Sequence, residues 1–401
     1  AAGGLGAFAT STDDVDLASL TSRVDPVGSP AVFAYTSGTT GRPKAVMHSQ
    51  HNLLLPGAVL VAERGYGPDL RKGDCLPLTI PNMLVLTTLL TAQAGGTCVI
   101  MDRLDAPGIA AWIRDEHITT WNGVPAMLSA LAIDESVTRD DLASLVEVWS
   151  GGDSCPDAIR RSFTEKFGLA PTSTYGLTEA PTVISIDDVD RPGECPGTSG
   201  RPLPHVEVTI RTDDDEIVPT GVVGEVCVAP SHRGRWAGRY TPMLGYHGHP
   251  DATQEQLRGG ALRTGDLGSL DRHGHLTIRS RRSAVIVRGG ANVYPAEVER
   301  VIREVPGVVD CAVFGVADDR LGQRVAAAVE GLEDSEDSRR AILLACDASL
   351  AHYKVPAHVV VVDRLPRNQM GKVNRAELPR LLGDSLLELG LPGPRSLGHR
   401  T

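Results

Sequence analysis

The sequence is poor in several features that would point to particular classes of protein. Its seven cysteines are odd in number and none occur at CxxC spacing, so neither a disulfide framework nor a zinc site is expected. No apolar stretch approaches the roughly 18–20 residues that a membrane-spanning helix needs. The first residues lack a basic region followed by a long apolar region, so no signal peptide is predicted. We therefore expect a cytoplasmic protein without a membrane span.

An excess of positive charge is also missing. The chain carries 50 acidic and 39 basic residues, a formal net charge of −11. A general nucleic-acid binder depends on clustered lysine and arginine to neutralise phosphates, so no nucleic-acid partner is expected. This balance leaves open the binding of a single nucleotide in a local pocket.

The length and composition predict a globular protein of more than one domain. With 401 residues and 41% apolar residues, the chain is long enough for two or three domains. We predict an irregular segment over residues 1–30, a large domain over 31–281, a small domain over 282–385 and a disordered tail over 386–401. The tail is rich in Gly, Pro and Arg.

The pattern of the large domain predicts an α/β fold. Thr97–Met101 and Val146–Trp149 are typical of strands, whereas Pro107–Glu116 and Pro156–Phe167 are typical of helices with proline in the first turn. Such alternation indicates layers built on a parallel sheet. Beyond about residue 190, short alternating runs indicate a small β subdomain. The small C-terminal domain is predicted to be α+β, with one amphipathic helix at Pro295–Val305.

A loop rich in hydroxyls and glycine follows the apolar run Ala31–Ala34. Its glycines would let backbone N–H groups approach phosphate oxygens, and its hydroxyls would add donors. The pattern is not GxxxxGK[ST], because only two residues separate Gly38 from Gly41. The alternative is a polar surface turn. The residues concerned are Thr36, Ser37, Gly38, Thr39, Thr40, Gly41 and Lys44.

Four further segments carry residues suited to nucleotide chemistry, and each of the first three is weak evidence when taken alone. In Tyr175-Gly-Leu-Thr-Glu179 a ring could stack on a base and a carboxylate could hold Mg²⁺. Asp266 is predicted to lie on a tight turn, where it could chelate ribose hydroxyls or simply form the turn. Gly289 and Gly290 predict a hairpin, with a ligand-facing backbone or a plain turn as alternatives. Lys372 is a single cation in a Gly/Asn-rich stretch near the C-terminus.

In this order and spacing, these segments resemble the adenylate-forming superfamily of acyl-CoA synthetases, carrier-protein adenylation domains and luciferases, over about residues 30–382. The resemblance implies a large AMP-binding domain and a mobile C-terminal cap. It assigns the 36–44 loop to ATP phosphates, and Ser150-Gly151-Gly152 with Tyr175 and Gly176 to the adenine and acyl group. It assigns the remaining roles as follows: catalysis to Thr178, Glu179 and Lys372, Mg²⁺ to Glu179, ribose to Asp266, a pre-hinge position to Arg281, and the thiol route to Gly289 and Gly290.

The implied reaction joins a small carboxylic acid to a thiol in two steps. The acid attacks ATP·Mg²⁺ to give an acyl adenylate and pyrophosphate, and a thiol then displaces AMP. The acceptor expected first is CoA, and the alternative is phosphopantetheine on an acyl carrier protein. A non-catalytic nucleotide- or acyl-binding relative is the alternative from another class.

The sequence departs from the family pattern at several positions. Ala45 replaces a usual glycine, and Ala284 occupies the hinge position that is usually Asp or Lys. Leu76–Asn82 lacks the expected histidine, and residues 76–90 lack the acidic residue that holds an α-ammonium in amino-acid-activating relatives. Only 35 residues precede Thr36, so we expect the N-terminal side of the large domain to be absent or shortened.

Overall fold

The computed structural model describes residues 25–36, 43–152, 155–188, 195, 197–367, 373–375 and 377–381. Within these ranges the chain forms four β-sheets with flanking helices. The strands, in chain order, are β1 Pro30–Thr36, β2 Lys44–Ser49, β3 Arg71–Asp74, β4 Thr97–Ile100, β5 Thr120–Gly123, β6 Glu147–Ser150, β7 Thr172–Leu177, β8 Thr182–Ile186, β9 Arg201–Pro202, β10 Val206–Arg211, β11 Gly224–Pro230, β12 Gly245–Tyr246, β13 Leu262–Leu270, β14 Leu276–Arg281, β15 Ile286–Arg288, β16 Ala291–Val293, β17 Asp310–Asp318, β18 Gly322–Glu330 and β19 His358–Val362.

The helices alternate with the strands of the large sheet and recur in the C-terminal part. They are α1 Gln50–Arg64, α2 Leu90–Ala94, α3 Ala106–Asp115, α4 Pro125–Ile133, α5 Asp157–Phe167, α6 Pro250–Gln256, α7 Pro295–Arg303, α8 Glu336–Ser349 and α9 Leu378–Leu381. A π-helical segment, Asn82–Leu89, runs directly into α2. Among the described helices, none combines the length and apolar character needed to cross a bilayer.

The large sheet has the strand order β4-β3-β5-β6-β7-β8-β9. Strands β3 to β7 pair in parallel, and β8 and β9 add antiparallel neighbours. The parallel α/β layer that the sequence predicts is therefore confirmed. Its core contains two fully buried tryptophans, Trp121 and Trp149, on adjacent strands. All parallel strands end at the same edge, which is where ligands bind in open α/β sheets.

Local signals in the sequence explain several helix ends. Ser49 and Asn52 form a capping box at the start of α1, which ends at Gly65 in the left-handed conformation. Asp105 caps α3 by accepting a hydrogen bond from the Gly108 backbone N–H, with Pro107 in the first turn. These ends fix α1 and α3 against the sheet.

The remaining sheets confirm the predicted β subdomain and α+β unit. Strands β10-β11-β13-β14 form an antiparallel sheet, and β1-β2-β12 form a smaller one. The C-terminal sheet joins β15 to β19, with β18 and β19 parallel. Helix α7 buries Val298, Val301 and Ile302 against this sheet, as its pattern predicts.

Candidate active site

Polar groups gather where the parallel strands end. Asn122 ends β5 beside Gly123, Ser150 ends β6 and is followed by Gly151, and Tyr175 lies near the end of β7. Strands β5, β6 and β7 are consecutive neighbours, so these residues share one edge of the sheet. The edge combines backbone N–H groups, amides and a phenol, which suits a ligand with both polar and planar parts.

The glycines after β6 are required by their surroundings. A Cβ at Gly151 would lie 2.5 Å from Thr174 Oγ1, so a side chain there would have to move the Thr174 side chain. Gly152 has φ +82°, a conformation that favours glycine. Together they keep the space above the end of β6 open.

Asp266 is the centre of a cluster that joins three parts of the chain. The Tyr175 hydroxyl donates to Asp266 Oδ2 at 2.6 Å, and Arg281 Nε lies 2.7 Å from Asp266 Oδ1. The carboxylate is 3% exposed. The sequence-based expectation of a tight turn at Asp266 is wrong: the residue lies inside β13, paired with Arg281 of β14, next to a register shift at Leu267 and Gly268.

Burial and a neighbouring charge keep the Tyr175 phenol protonated. Burial raises the pKa of Tyr175 well above its usual value, and the neighbouring Asp266 carboxylate raises it further. The phenol therefore stays protonated and donates.

Other buried polar contacts hold the backbone around Asp266. Thr264 Oγ1 donates to the Val226 carbonyl at 2.8 Å and accepts from the Asp266 N–H at 3.1 Å. Glu225 accepts from the Gly265 N–H and forms an ion pair with the buried Arg263. Sequence inspection gave these residues no role, because the contacts join positions about forty residues apart.

A second cluster links the predicted phosphate loop to Glu179. Tyr246 donates its hydroxyl to Glu179 Oε1 at 2.8 Å, and Lys44 Nζ lies 5.0 Å from the Tyr246 ring centroid. Thr178 is held through its carbonyl, which contacts His48 Nε2 at 2.8 Å. The segment that carries Thr178 and Glu179 is thus fixed against β2 and β12.

The phosphate loop itself falls largely outside the described residues. Thr36 and Lys44 are directly opposite each other across β1 and β2, so they close the hairpin that carries it. Ser37, Gly38, Thr39, Thr40 and Gly41 lie outside the described residues, and so does Lys372.

The residues present fit an Mg²⁺ ion that is held mostly by its nucleotide. The described part of the chain contains no group of three or more His, Cys, Asp or Glu side chains placed to hold a metal. Mg²⁺ in phosphate-transfer sites typically uses one or two carboxylates together with substrate phosphates and water. Glu179, close to Lys44 through Tyr246, meets that requirement.

Gly289 and Gly290 form the two-residue turn between β15 and β16, as the sequence predicts. Their φ angles are +58° and +84°, so the turn alone favours glycine at both positions. Among the described residues, a Cβ at Gly290 would meet no atom within 4 Å, and one at Gly289 would meet only the Leu321 side chain, at 3.4 Å. The hairpin therefore presents an open surface.

A buried polar cluster beneath the sheet edge escaped sequence inspection. Asp74 accepts hydrogen bonds from the Leu76 N–H, the Thr87 hydroxyl and the Asn122 amide. Lys72 Nζ donates to Asn122 Oδ1 at 3.0 Å and lies 3.7 Å from the Trp149 ring centroid. Burial lowers the pKa of Lys72 to about 8, with Glu147 and Asp74 opposing that shift. Strand β3 reads Arg71-Lys-Gly-Asp74 and has no apolar side chain, so the sequence gave no sign that it is buried.

A cleft of about 400 Å³ opens beside this edge. Its walls are mostly apolar and come from β1, α1 and the segment before α2, and His48 forms part of one wall. The lining includes Val32, Phe33, His48, Leu53, Ile80 and Leu84. His48 places the cleft next to Thr178.

Comparison with known proteins identifies the family. The AMP-binding enzyme family matches residues 7–234, and the AMP-binding enzyme C-terminal domain matches residues 297–372. Feruloyl-CoA synthase from Amycolatopsis sp is 34% identical over 360 residues, which are 89% of this chain and 71% of that protein. The fatty acid–[acyl-carrier-protein] ligase ScoC from Streptomyces coeruleorubidus is 34% identical over 366 residues, which are 89% and 68% of the two chains.

Solved structures agree with this match. ATP-bound MatB from Rhodopseudomonas palustris superposes with a TM-score of 0.80 at 29% identity, over 90% of this chain and 70% of that one. The amide bond synthetase McbA from Marinactinospora thermotolerans superposes with a TM-score of 0.77 at 32% identity, over 88% and 69%. The chain therefore belongs to the AMP-binding enzyme family, as an AMP-forming acid–thiol ligase of the acyl-CoA synthetase type that uses ATP to activate a carboxylic acid and CoA to accept it.

Proposed function

We propose that the two clusters together bind ATP. The ribose would lie against Asp266, with Tyr175 and Arg281 orienting the carboxylate, and the phosphates would lie between the 36–44 loop and Glu179. The observation that carries this proposal is the Glu179–Tyr246–Lys44 contact, since it joins the metal-binding and phosphate-binding candidates. Asp266→Asn should raise the KM for ATP in pyrophosphate exchange. Asp115→Asn, on an exposed carboxylate, should leave that KM unchanged.

The chemical demand on these residues is mainly positioning and charge. Two anions, the acid and the α-phosphate, must be brought together in line, so cations and donors near the reacting atoms lower the barrier. Lys44 and the loop donors would stabilise the departing pyrophosphate, and Lys372 would supply a cation at the point of attack. Bound Mg²⁺, with Glu179 as its protein ligand, would further neutralise phosphate charge. Gly151 and Gly152 leave room for the acyl adenylate.

We propose that the acid lacks an α-amino group. An ammonium in this site would need a carboxylate partner, because burying an unpaired charge is expensive. Residues 76–90 contain no Asp or Glu, and the nearby Asp74 is already engaged by three donors and by Lys72. Simple carboxylic acids should therefore turn over faster than the common α-amino acids in a pyrophosphate-release panel. Faster turnover with any α-amino acid would overturn this assignment while leaving the ATP site untouched.

We propose that the acyl group occupies the cleft beside His48. Its apolar walls suit an aromatic or aliphatic acid, and the relatives include an indoleacetate–CoA ligase from Aromatoleum aromaticum. Leu84→Trp would add bulk to this cleft and should shift the preference towards smaller acids. Leu344→Trp, at an exposed position on α8, is the matched control and should leave the preference unchanged. An identical acid profile for both variants would place the acyl group elsewhere.

A second acceptor is supported by one relative. ScoC is named as an acyl-carrier-protein ligase, so a phosphopantetheine-bearing carrier protein is the alternative to CoA. Parallel assays with free CoA and with a loaded carrier protein separate the two. We also propose a cytoplasmic location, which fits the seven free cysteines.

A further inference from the structure

A cysteine, a histidine and a carboxylate form a contact chain outside the candidate ATP site. Cys195 Sγ lies 3.6 Å from His275 Nε2, and His275 Nδ1 lies 3.0 Å from Asp271 Oδ2. Asp271 and His275 belong to the turn between β13 and β14, at the opposite end of that hairpin from Asp266 and Arg281. The ligase reaction gives this group no role.

The three side chains are held in place by the surrounding backbone. Asp271 Oδ1 accepts from the N–H groups of His273 and His275 at 2.7 and 2.9 Å. The Cys195 carbonyl accepts from the backbone N–H and hydroxyl of Thr198, at 3.2 and 2.9 Å. Next along the chain, the Ser199 N–H donates to the Leu276 carbonyl of β14, which attaches the cysteine loop to the hairpin.

The charges around the imidazole favour one tautomer. Although burial raises the pKa of Asp271, hydrogen bonds from the backbone and ring of His275 and from the His273 N–H lower it to about 2. The carboxylate therefore accepts from Nδ1–H, which leaves the Nε2 lone pair facing the thiol. Among the described residues, His273 is a further titratable neighbour, with its ring 6.2 Å from that of His275 and its Nε2 accepting from Arg272.

We propose that Cys195 is a modification site whose thiol is activated by His275 and Asp271 and exchanges with low-molecular-weight disulfides. A nucleophile that contacts a base, which in turn is oriented by a carboxylate, is the arrangement that activates thiols in proteins. His275 takes the thiol proton, and the thiolate attacks one sulfur of the disulfide. A new S–S bond forms at Cys195 as the old one breaks, and the departing thiolate takes the proton from His275.

The other cysteines provide comparison within the same molecule. Burial raises the pKa of the Cys75 thiol to about 12, and that of Cys227 and of Cys346 to about 11. Cys98 is exposed, although partial burial raises the pKa of its thiol, and among the described residues it has no hydrogen-bond partner. Cys98 therefore serves as the accessible thiol without a base.

The test is the rate of reaction of the full chain with 2,2′-dithiodipyridine at pH 6.5, with modified cysteines located by mass spectrometry. The thiolate is the nucleophile in this exchange, so a thiol in contact with an oriented base should react faster than one without, by on the order of tenfold. Cys195 should therefore react before Cys98. Cys195→Ser should remove the fast phase, whereas Cys98→Ser should leave it. Modification of Cys98 before Cys195 would overturn the proposal.

Two variants separate activation by the cluster from simple exposure. Asp271→Asn keeps the oxygen that accepts the backbone N–H groups, but its amide would donate to Nδ1 and move the ring proton to Nε2. His275→Gln removes the base and leaves Asp271 in its turn. Each should slow Cys195 to the rate of Cys98 with little change in melting temperature. A fast phase that survives in either folded variant would show that the thiol needs no base.

Discussion

The hydroxyl of Tyr175 is the atom on which the Asp266 cluster most directly depends. Tyr175→Phe removes a hydrogen bond to a buried carboxylate, and such charge-assisted bonds contribute about 1.5–3 kcal/mol to stability. We expect a loss of that size in urea unfolding and a higher KM for ATP in pyrophosphate exchange. The reason is that Asp266 would lose the group that orients one of its oxygens.

Tyr240 offers a matched control. Its side chain is buried, and among the described residues its hydroxyl has no hydrogen-bond partner. Tyr240→Phe should therefore be nearly neutral in both assays. Equal effects of the two substitutions would mean that the hydrogen bond to Asp266 does not stabilise the fold.

The buried His48 and His205 lead us to predict that stability depends on pH. Burial lowers its pKa to about 4, partly opposed by the contact with the Thr178 carbonyl, and burial likewise lowers the pKa of His205 to about 4. The unfolded histidines bind protons near pH 6.5, so the unfolded state gains protons first as the pH falls. The stability that each neutral histidine contributes is therefore fully present above pH 6.5 and is lost as the pH falls towards 4. As the pH falls from 6.5 to 5, each histidine should lower the free energy of unfolding by on the order of 2 kcal/mol.

Urea unfolding of single variants at pH 7 and pH 5 checks this slope. His48→Gln and His205→Gln should each reduce the loss of stability between the two pH values, and their effects should add. His232→Gln, at a side chain that is 80% exposed, should leave the loss unchanged. Wild-type stability that is equal at both pH values would contradict the assignment of two buried neutral histidines.

At the level of elements, a substitution in the β15–β16 hairpin tests whether the thiol approaches the acyl adenylate across this surface. Gly290→Leu forces a side chain onto a residue with φ +84°, which costs about 1–2 kcal/mol, but its Cβ would meet no atom of the described residues within 4 Å. If the hairpin faces the incoming thiol, acyl-CoA yield should fall while pyrophosphate exchange persists.

Gly221→Leu is the matched control for this strain. Gly221 has φ +82° and equally open surroundings, but it lies between β10 and β11. It should lose similar stability and keep both activities. If Gly290→Leu behaves in the same way as Gly221→Leu, the glycines are needed only for the turn.

The elements themselves were largely predictable from local pattern. Apolar runs gave β4 and β6, and proline in the first turn gave α3 and α7, because these signals act within a few residues. Asp266 was misplaced on a turn because Thr-Gly-Asp is typical of turns, whereas here long-range pairing with β14 holds it in a strand. The π-helical Asn82–Leu89 has no local sequence signal that we recognise.

The resemblance named candidate site residues, but it could not predict the contacts between them. Tyr175 and Asp266 were both candidates, yet their contact spans 91 positions and depends on how two sheets pack. The same holds for Tyr246, which joins Lys44 to Glu179 and which no motif indicated. The buried Lys72 and Asp74 were missed because charge in a strand usually indicates an exposed face.

At the scale of the whole molecule, the proposed mechanism draws on parts from both ends of the chain. The parallel sheet and the β10–β11–β13–β14 sheet supply Tyr175, Glu179 and Asp266, whereas Lys372 follows the C-terminal sheet in the sequence. The cap is therefore expected to matter for one chemical step rather than for ATP binding alone. A substitution of Lys372 therefore tests the role of the cap more directly than a substitution in the large sheet does.

Lys372→Ala should lower pyrophosphate exchange by on the order of 10²–10³, comparable to losing an oxyanion donor, because the acid and the α-phosphate would then meet without that cation. Supplying the variant with a preformed acyl adenylate bypasses the first step, so thioester formation with CoA should continue. Lys354→Ala is the control: its ammonium pairs with Glu297 on α7, and both reactions should persist. Near-normal exchange by Lys372→Ala would remove this residue from catalysis. Equal loss of both steps would instead assign it to binding of the adenylate.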